Sequence, residues 1–95
     1  MVKHIVFFKL IENSQKTREL VKNRLLALEE KIEVLKDIEV GLNFADQERA
    51  YDIALITVFK DKDDLKTYAN HTDHLEVVKF IKEVAVSSKV VDFTY

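Results

Sequence analysis

The sequence predicts an α+β domain, and three observations carry that prediction. Runs with strand character stand at the start, middle and end of the chain, separated by runs with helical periodicity. Their order is strand, helix, strand, strand, helix, strand, within 95 residues that amount to one domain spanning 1–95. A single glycine and no proline leave no segment with the composition of a linker.

Val2–Leu10 is rich in β-branched and aromatic residues and reads as the first strand. His4, Val6, Phe8 and Leu10 fall on one face; Lys3, Ile5, Phe7 and Lys9 fall on the other. Glu12-Asn13-Ser14 is a polar break, in which Asn13 or Ser14 is suited to cap a helix. From Gln15 to Leu35, apolar residues recur at Val21, Leu25, Leu28, Ile32 and Leu35, one face of a long amphipathic helix. That face is too short for a coiled coil and reads as core packing.

Ile38, Val40, Leu42 and Phe44 alternate with Glu39, Gly41 and Asn43, as in a half-buried strand. A polar turn over Ala45–Ala50 joins it as a hairpin to Tyr51–Phe59. Asp61 is placed to cap a short helix, with Asp63 and Asp64 where the dipole of a first turn favours them. That helix carries Leu65, Tyr68 and Ala69 on one face and is interrupted at Asn70–Asp73. A further helix runs from about His74 to Val84, and Lys89–Tyr95 is the last strand. The order β-α-β-β-α-β is the ferredoxin-like arrangement, a four-stranded antiparallel sheet with helices on one face.

Such a sheet ordinarily has one wet face. Here Ile53, Leu55 and Phe59 share one face of their strand while Ala54, Ile56 and Val58 share the other, and the first strand repeats the pattern. Helices cover only one of these faces. A second copy of the same sheet is the natural cover for the other, so the sequence predicts a homodimer. The small size of the domain and its lack of disulfides point the same way.

Composition narrows the function. With 15 Lys+Arg against 17 Asp+Glu the net charge is −2, which argues against nucleic acid and membrane surfaces as partners. The absence of cysteine removes disulfide scaffolds, iron–sulfur clusters, thiolate zinc sites and cysteine nucleophiles, and fits a reducing compartment. No apolar run approaches the roughly 18 residues of a membrane span. The stretch Met1–Lys9 is too short in apolar residues for a signal peptide, so a soluble cytoplasmic protein is expected.

The segment Tyr68-Ala69-Asn70-His71-Thr72-Asp73-His74 holds two of the three histidines beside a tyrosine, at a helix break. Histidine transfers protons near neutral pH, and a tyrosine hydroxyl donates to a developing oxyanion. The competing reading makes His71 and His74 a polar cluster that caps and solvates the break. A metal site is the weakest reading: His71, His74 and Asp73 lack the i, i+4 histidine spacing of a helical zinc pair and a strong further ligand. His4 read alone is a strand histidine hydrogen-bonded to backbone, and Tyr51 and Tyr95 are strand aromatics. No Gly-rich phosphate loop, serine-centred nucleophile motif or carboxylate pair is present, and no cofactor is expected.

The chain resembles the stress-responsive A/B barrel (Dabb) family over nearly its whole length. The matching elements are Val2-Lys3-His4-Ile5-Val6, Gly41-Leu42-Asn43, the Phe59–Leu65 region with Tyr68-x-x-His71-x-x-His74, and Val91-Asp92-Phe93. The resemblance implies a small homodimer whose two sheets close into a shared α/β barrel. In a plant cyclase of the family, the tyrosine and last histidine of the block act as a catalytic pair on a linear polyketide. Carried over, they are Tyr68 and His74; the pocket-lining histidine of the first strand is His4 and the middle histidine is His71. Thr72 stands where the family pattern has proline, which implies a looser turn before His74.

The expectation is therefore a homodimer in which His4, Tyr68, His71 and His74 converge on an apolar cavity for a small aromatic or polyketide-like molecule. His74 would be the base and Tyr68 the oxygen donor. The alternatives are a non-catalytic stress-associated oligomer and, by analogy of fold alone, a cofactor-free monooxygenase.

Overall fold

A computed structural model describes all residues, Met1–Tyr95. The elements are β1 (Val2–Leu10), α1 (Gln15–Leu26), α2 (Leu28–Lys31), β2 (Asp37–Leu42), β3 (Ile53–Phe59), α3 (Lys62–Asn70), α4 (Thr72–Val84) and β4 (Ala85–Thr94). The four strands form one antiparallel sheet in the order β2-β3-β1-β4. This is the ferredoxin-like α+β fold.

Side-chain caps start the helices where the sequence places them. The Ser14 hydroxyl accepts from the Thr17 amide at 3.2 Å, and the Asp61 carboxylate accepts from the Asp64 amide at 2.8 Å. The core is a cluster of 17 buried residues between the helices and one sheet face. To it β1 contributes Val2, Val6, Phe8 and Leu10, and β3 contributes Ile53, Leu55 and Phe59. Asp52 is buried just before β3. Its carboxylate accepts from the Leu10 amide at 2.7 Å while its own amide donates to the Phe8 carbonyl at 2.9 Å, which pins the hairpin to the end of β1.

Three elements differ from the sequence reading. The long helix stops at Leu26, continues as one short turn to Lys31, and ends at Ile32, whose backbone is extended (φ −120°, ψ 105°). Ile32, Glu33 and Val34 hold the chain poorly in a helix, since two of them are β-branched. The turn from Ile32 to Leu35, closed by a 3.1 Å backbone bond, still buries both residues and reverses the chain into β2.

Phe44 is the second difference. Its place in the alternation predicts a half-buried side chain, but it is 100% exposed. The Asn43 side chain both donates to the Ala45 carbonyl and accepts from the Ala45 amide, a local turn that bends the chain away from the ladder. The third difference is β4, which follows α4 without a loop and pairs with β1 from Ala85 onward.

Register fixes the helix-free face. Across it run the rows Glu39–Ile56–Ile5–Val91, Asp37–Val58–Lys3–Phe93 and Gly41–Ala54–Phe7–Lys89. Its centre is apolar, and Phe7, Val91 and Phe93 are exposed there. No helix is long and apolar enough to cross a membrane.

Candidate functional site

Tyr68 lies near the end of α3 and His74 near the start of α4. On one unbroken helix, residues six apart would stand about 240° apart around the axis. The single residue His71 separates the two helices with an extended backbone (φ −67°, ψ 138°). That break brings the Tyr68 and His74 rings together, with centroids 4.3 Å apart and planes at 45°. Tyr68 also packs on Phe59, at 4.9 Å between centroids, and is only 1% exposed.

His71 builds the break. Its Nδ1 accepts from the Asp73 amide at 3.1 Å and so caps α4, while its own amide donates to the Tyr68 carbonyl at 3.1 Å. Thr72 is the first residue of α4, the position at which proline also starts helices well. With the His71 cap in place, the turn before His74 is tied at both ends. The His71 ring itself lies in a polar surface depression with Asp63, Lys66 and Thr67. The structure thus brings Tyr68, His74 and His4 together but not His71.

His4 projects from the helix-facing side of β1, with its ring 6.4 Å from that of Tyr68 in an edge-on arrangement. Asp92, its direct cross-strand neighbour on β4, accepts from His4 Nδ1. A carboxylate oxygen is an acceptor, so the proton belongs on Nδ1 and Nε2 is left free. The same logic applies to His74, whose Nδ1 donates to the Ala69 carbonyl at 3.0 Å. Both histidines therefore keep Nε2 available.

Electrostatics separate the roles of Tyr68 and His74. Burial pushes the Tyr68 hydroxyl up to about 12, so it stays protonated and can only donate its proton in a hydrogen bond or accept one. Burial also lowers His74 below its ordinary value; the Ala69 carbonyl opposes the shift, and His4 and His71 add to it. His74 is accordingly a neutral base at neutral pH. The Tyr68 hydroxyl is buried with no hydrogen-bond partner in the chain. Native structures leave few such groups unpaired, because each costs about 1–3 kcal/mol.

These residues share a cavity of about 210 Å³. Its walls are apolar side chains of β1, β3, α1 and α4, among them Val6, Phe8, Leu55 and Val77. His4, His74, Lys82, Ser88 and the Tyr68 ring complete it. A larger groove of about 380 Å³ lies near the β2–β3 connection between Phe7, Leu42, Phe44 and Tyr51. It holds no histidine and no carboxylate, whereas the smaller cavity holds His4, His74 and Tyr68. Nowhere in the chain do three or more His, Cys, Asp or Glu side chains converge as a metal-ligand group.

The sequence reading assigned no role to Asp92, Lys82, Ser88 or the Ala69 carbonyl. One of them carried a usable signal: Lys82 lies eight residues beyond His74 on one helix face, whereas Asp92 faces His4 only once the first and last strands are paired in register.

The fold and this cavity define a small α+β domain with a tyrosine–histidine pair at a helix break. The chain belongs to the stress responsive A/B barrel domain family, whose model matches residues 2–95. It is 37% identical to a dimeric protein of unknown function with a ferredoxin-like fold from Bacteroides fragilis, covering 99% of this chain and 95% of that one with a TM-score of 0.81. A dimeric ferredoxin-like protein of unknown function from Thermobifida fusca is 23% identical, covering 99% and 90% with a TM-score of 0.85. The hydroxynitrile lyase of Passiflora edulis is 20% identical, covering 97% and 90% with a TM-score of 0.84. Both of these last two share the fold. No curated protein matches the sequence.

Proposed function

We propose that the protein acts as a cytoplasmic homodimer that binds a small apolar carbonyl compound in the cavity beside Tyr68, with His74 as a base. The observation that carries this reading is the Tyr68 hydroxyl, buried without a partner and ring-to-ring with a histidine whose proton affinity is lowered by burial. A ligand oxygen is the acceptor this hydroxyl lacks. Tyr68 then donates to the carbonyl oxygen, and His74 Nε2 takes a proton from the adjacent carbon. The C–H electron pair becomes the C=C bond of the enolate, whose oxygen is held by the same Tyr68 hydrogen bond. The proton returns from His74 in the reverse step. His4, fixed by Asp92, lines the same cavity with an acceptor nitrogen, and His71 serves by holding the helix break rather than by touching ligand.

Size supports a single-ring ligand rather than a long chain. An apolar cavity of about 150 Å³ accepts benzene, and this one is about 210 Å³. A hydroxynitrile lyase among the proteins of this fold is consistent with an enzyme site on it. The apolar rows on the helix-free sheet face, and the dimeric relatives, support a second copy seated on that face to close a shared barrel.

The test is binding of 4-methylacetophenone, followed by thermal melts and calorimetric titration. The wild type should melt higher with ligand. Tyr68→Phe should fold and lose about two- to tenfold in affinity, the worth of one neutral hydrogen bond. Equal affinity in the two proteins overturns the reading.

A further inference from the structure

We infer that the ligand is an oxo acid: a compact apolar body with a carbonyl at one end and a carboxylate at the other, the carboxylate held by Lys82 and Ser88. This rests on the ligand-binding reading of the cavity and adds the chemical class.

The cavity is polar at two separate ends. Lys82 lies eight residues beyond His74 on α4, about 12 Å along the axis at the usual helical rise, and both line the cavity. Ser88 faces Phe8 across the β1–β4 ladder and lies four residues before Asp92, about 13 Å along the strand, on the same sheet face. One end thus holds Tyr68, His74 and His4, with Asp92 bonded to His4 from outside the lining. The other holds an ammonium and a hydroxyl, with apolar side chains such as Val78 between them.

Charge sets the direction of an anionic ligand. At the histidine end the Asp92 carboxylate repels a second carboxylate. At the far end Lys82 attracts it, since Lys82 makes no ion pair within the chain and Ser88 makes no side-chain hydrogen bond. The far-end carboxylate leaves the carbonyl of the ligand beside Tyr68 and His74. Lys82 also sits in the last turn of α4, where any cation is favourable to the helix end. That role is indifferent to ligand, so ligand dependence separates the two.

The experiment compares 4-acetylbenzoate with 4-nitroacetophenone, its neutral counterpart of the same shape, by calorimetric titration of wild type, Lys82→Gln and Tyr68→Phe. Lys82 is exposed, so its replacement leaves folding intact. The wild type should prefer the acid about fivefold, as expected of a partly exposed ion pair, and the preference should shrink at about 1 M salt. Lys82→Gln should bind both compounds equally. Tyr68→Phe should weaken both and keep the preference. Equal wild-type affinities, or a preference that survives Lys82→Gln, overturn the oxo-acid inference and leave the cavity reading standing. Failure of both compounds to bind overturns the cavity reading and this inference with it.

Discussion

The Tyr68 and His74 rings lie 4.3 Å apart between centroids, tilted by 45°, across a one-residue interruption between two helices, and burial drives their proton affinities in opposite directions. Desolvation raises the phenol because it penalises the phenolate, and lowers the histidine because it penalises the imidazolium. One physical cause thus leaves both groups neutral, one as a donor and the other as a base. Pairs of titratable groups set apart in this way are where acid and base roles are found.

Tyr68→Phe should stabilise the ligand-free protein. The substitution removes a buried hydroxyl that has no partner and keeps the ring packed on Phe59. The gain should be about 1 kcal/mol, a rise of roughly 4–8 °C in melting temperature for a domain of this size. Thermal melts without ligand measure it. A lower melting temperature would mean that the hydroxyl is satisfied in the folded protein.

His74 should make stability depend on pH in a defined direction. Its folded value lies below the ordinary 6.5, so the unfolded chain binds the proton more readily. Its contribution is therefore complete above about 6.5 and is lost as pH falls through the folded value. Melting temperatures taken from pH 8 to pH 5 should fall at the acid end, and less so in His74→Gln. Parallel curves for the two proteins would contradict the shift.

His71 should prove structural. Removing its ring in His71→Ala deprives the Asp73 amide of its acceptor and should cost about 0.5–2 kcal/mol, as for other N-caps. His71→Asn, a good capping residue, should restore most of that. Chemical denaturation of the two variants distinguishes a cap from a residue whose loss leaves stability unchanged.

Much of this was legible in the sequence. The β-α-β-β-α-β order follows from the alternation in Val2–Leu10 and Ile53–Phe59 and from the helical spacing of Val21, Leu25 and Leu28. The end of the first helix was not legible, because Ile32 and Leu35 keep the helical spacing while a turn buries them. Phe44 misled in the same way: its parity fits a strand that the Asn43 turn has already ended. At the site, the Tyr68/His74 cluster stood out by residue type. Period alone left His71 and His74 equivalent; the break at His71 separates a cap from a cavity wall. The Asp92 partnership with His4 depends on a register that spans the chain, which no local pattern carries.

Assembly should be sensitive to charge on the helix-free face. Ile5 sits between Ile56 and Val91 in the central row of that face. Ile5→Lys would place an unpaired charge at the centre of the proposed dimer contact, which is strongly disfavoured. Sedimentation at micromolar concentration should show a dimer for wild type and a monomer for the variant, with circular dichroism confirming that the monomer keeps its secondary structure. A wild-type monomer would refute the dimer.

The central claim is proton abstraction by His74 from a carbon beside a carbonyl held by Tyr68. Its most direct test is exchange of the acetyl methyl protons of 4-methylacetophenone for deuterium in D₂O, followed by proton NMR. Wild type should accelerate exchange over buffer, and His74→Gln should lose about 10²–10⁴ of that rate, the usual worth of a general base. No acceleration by wild type, or an equal rate in His74→Gln, would contradict the account.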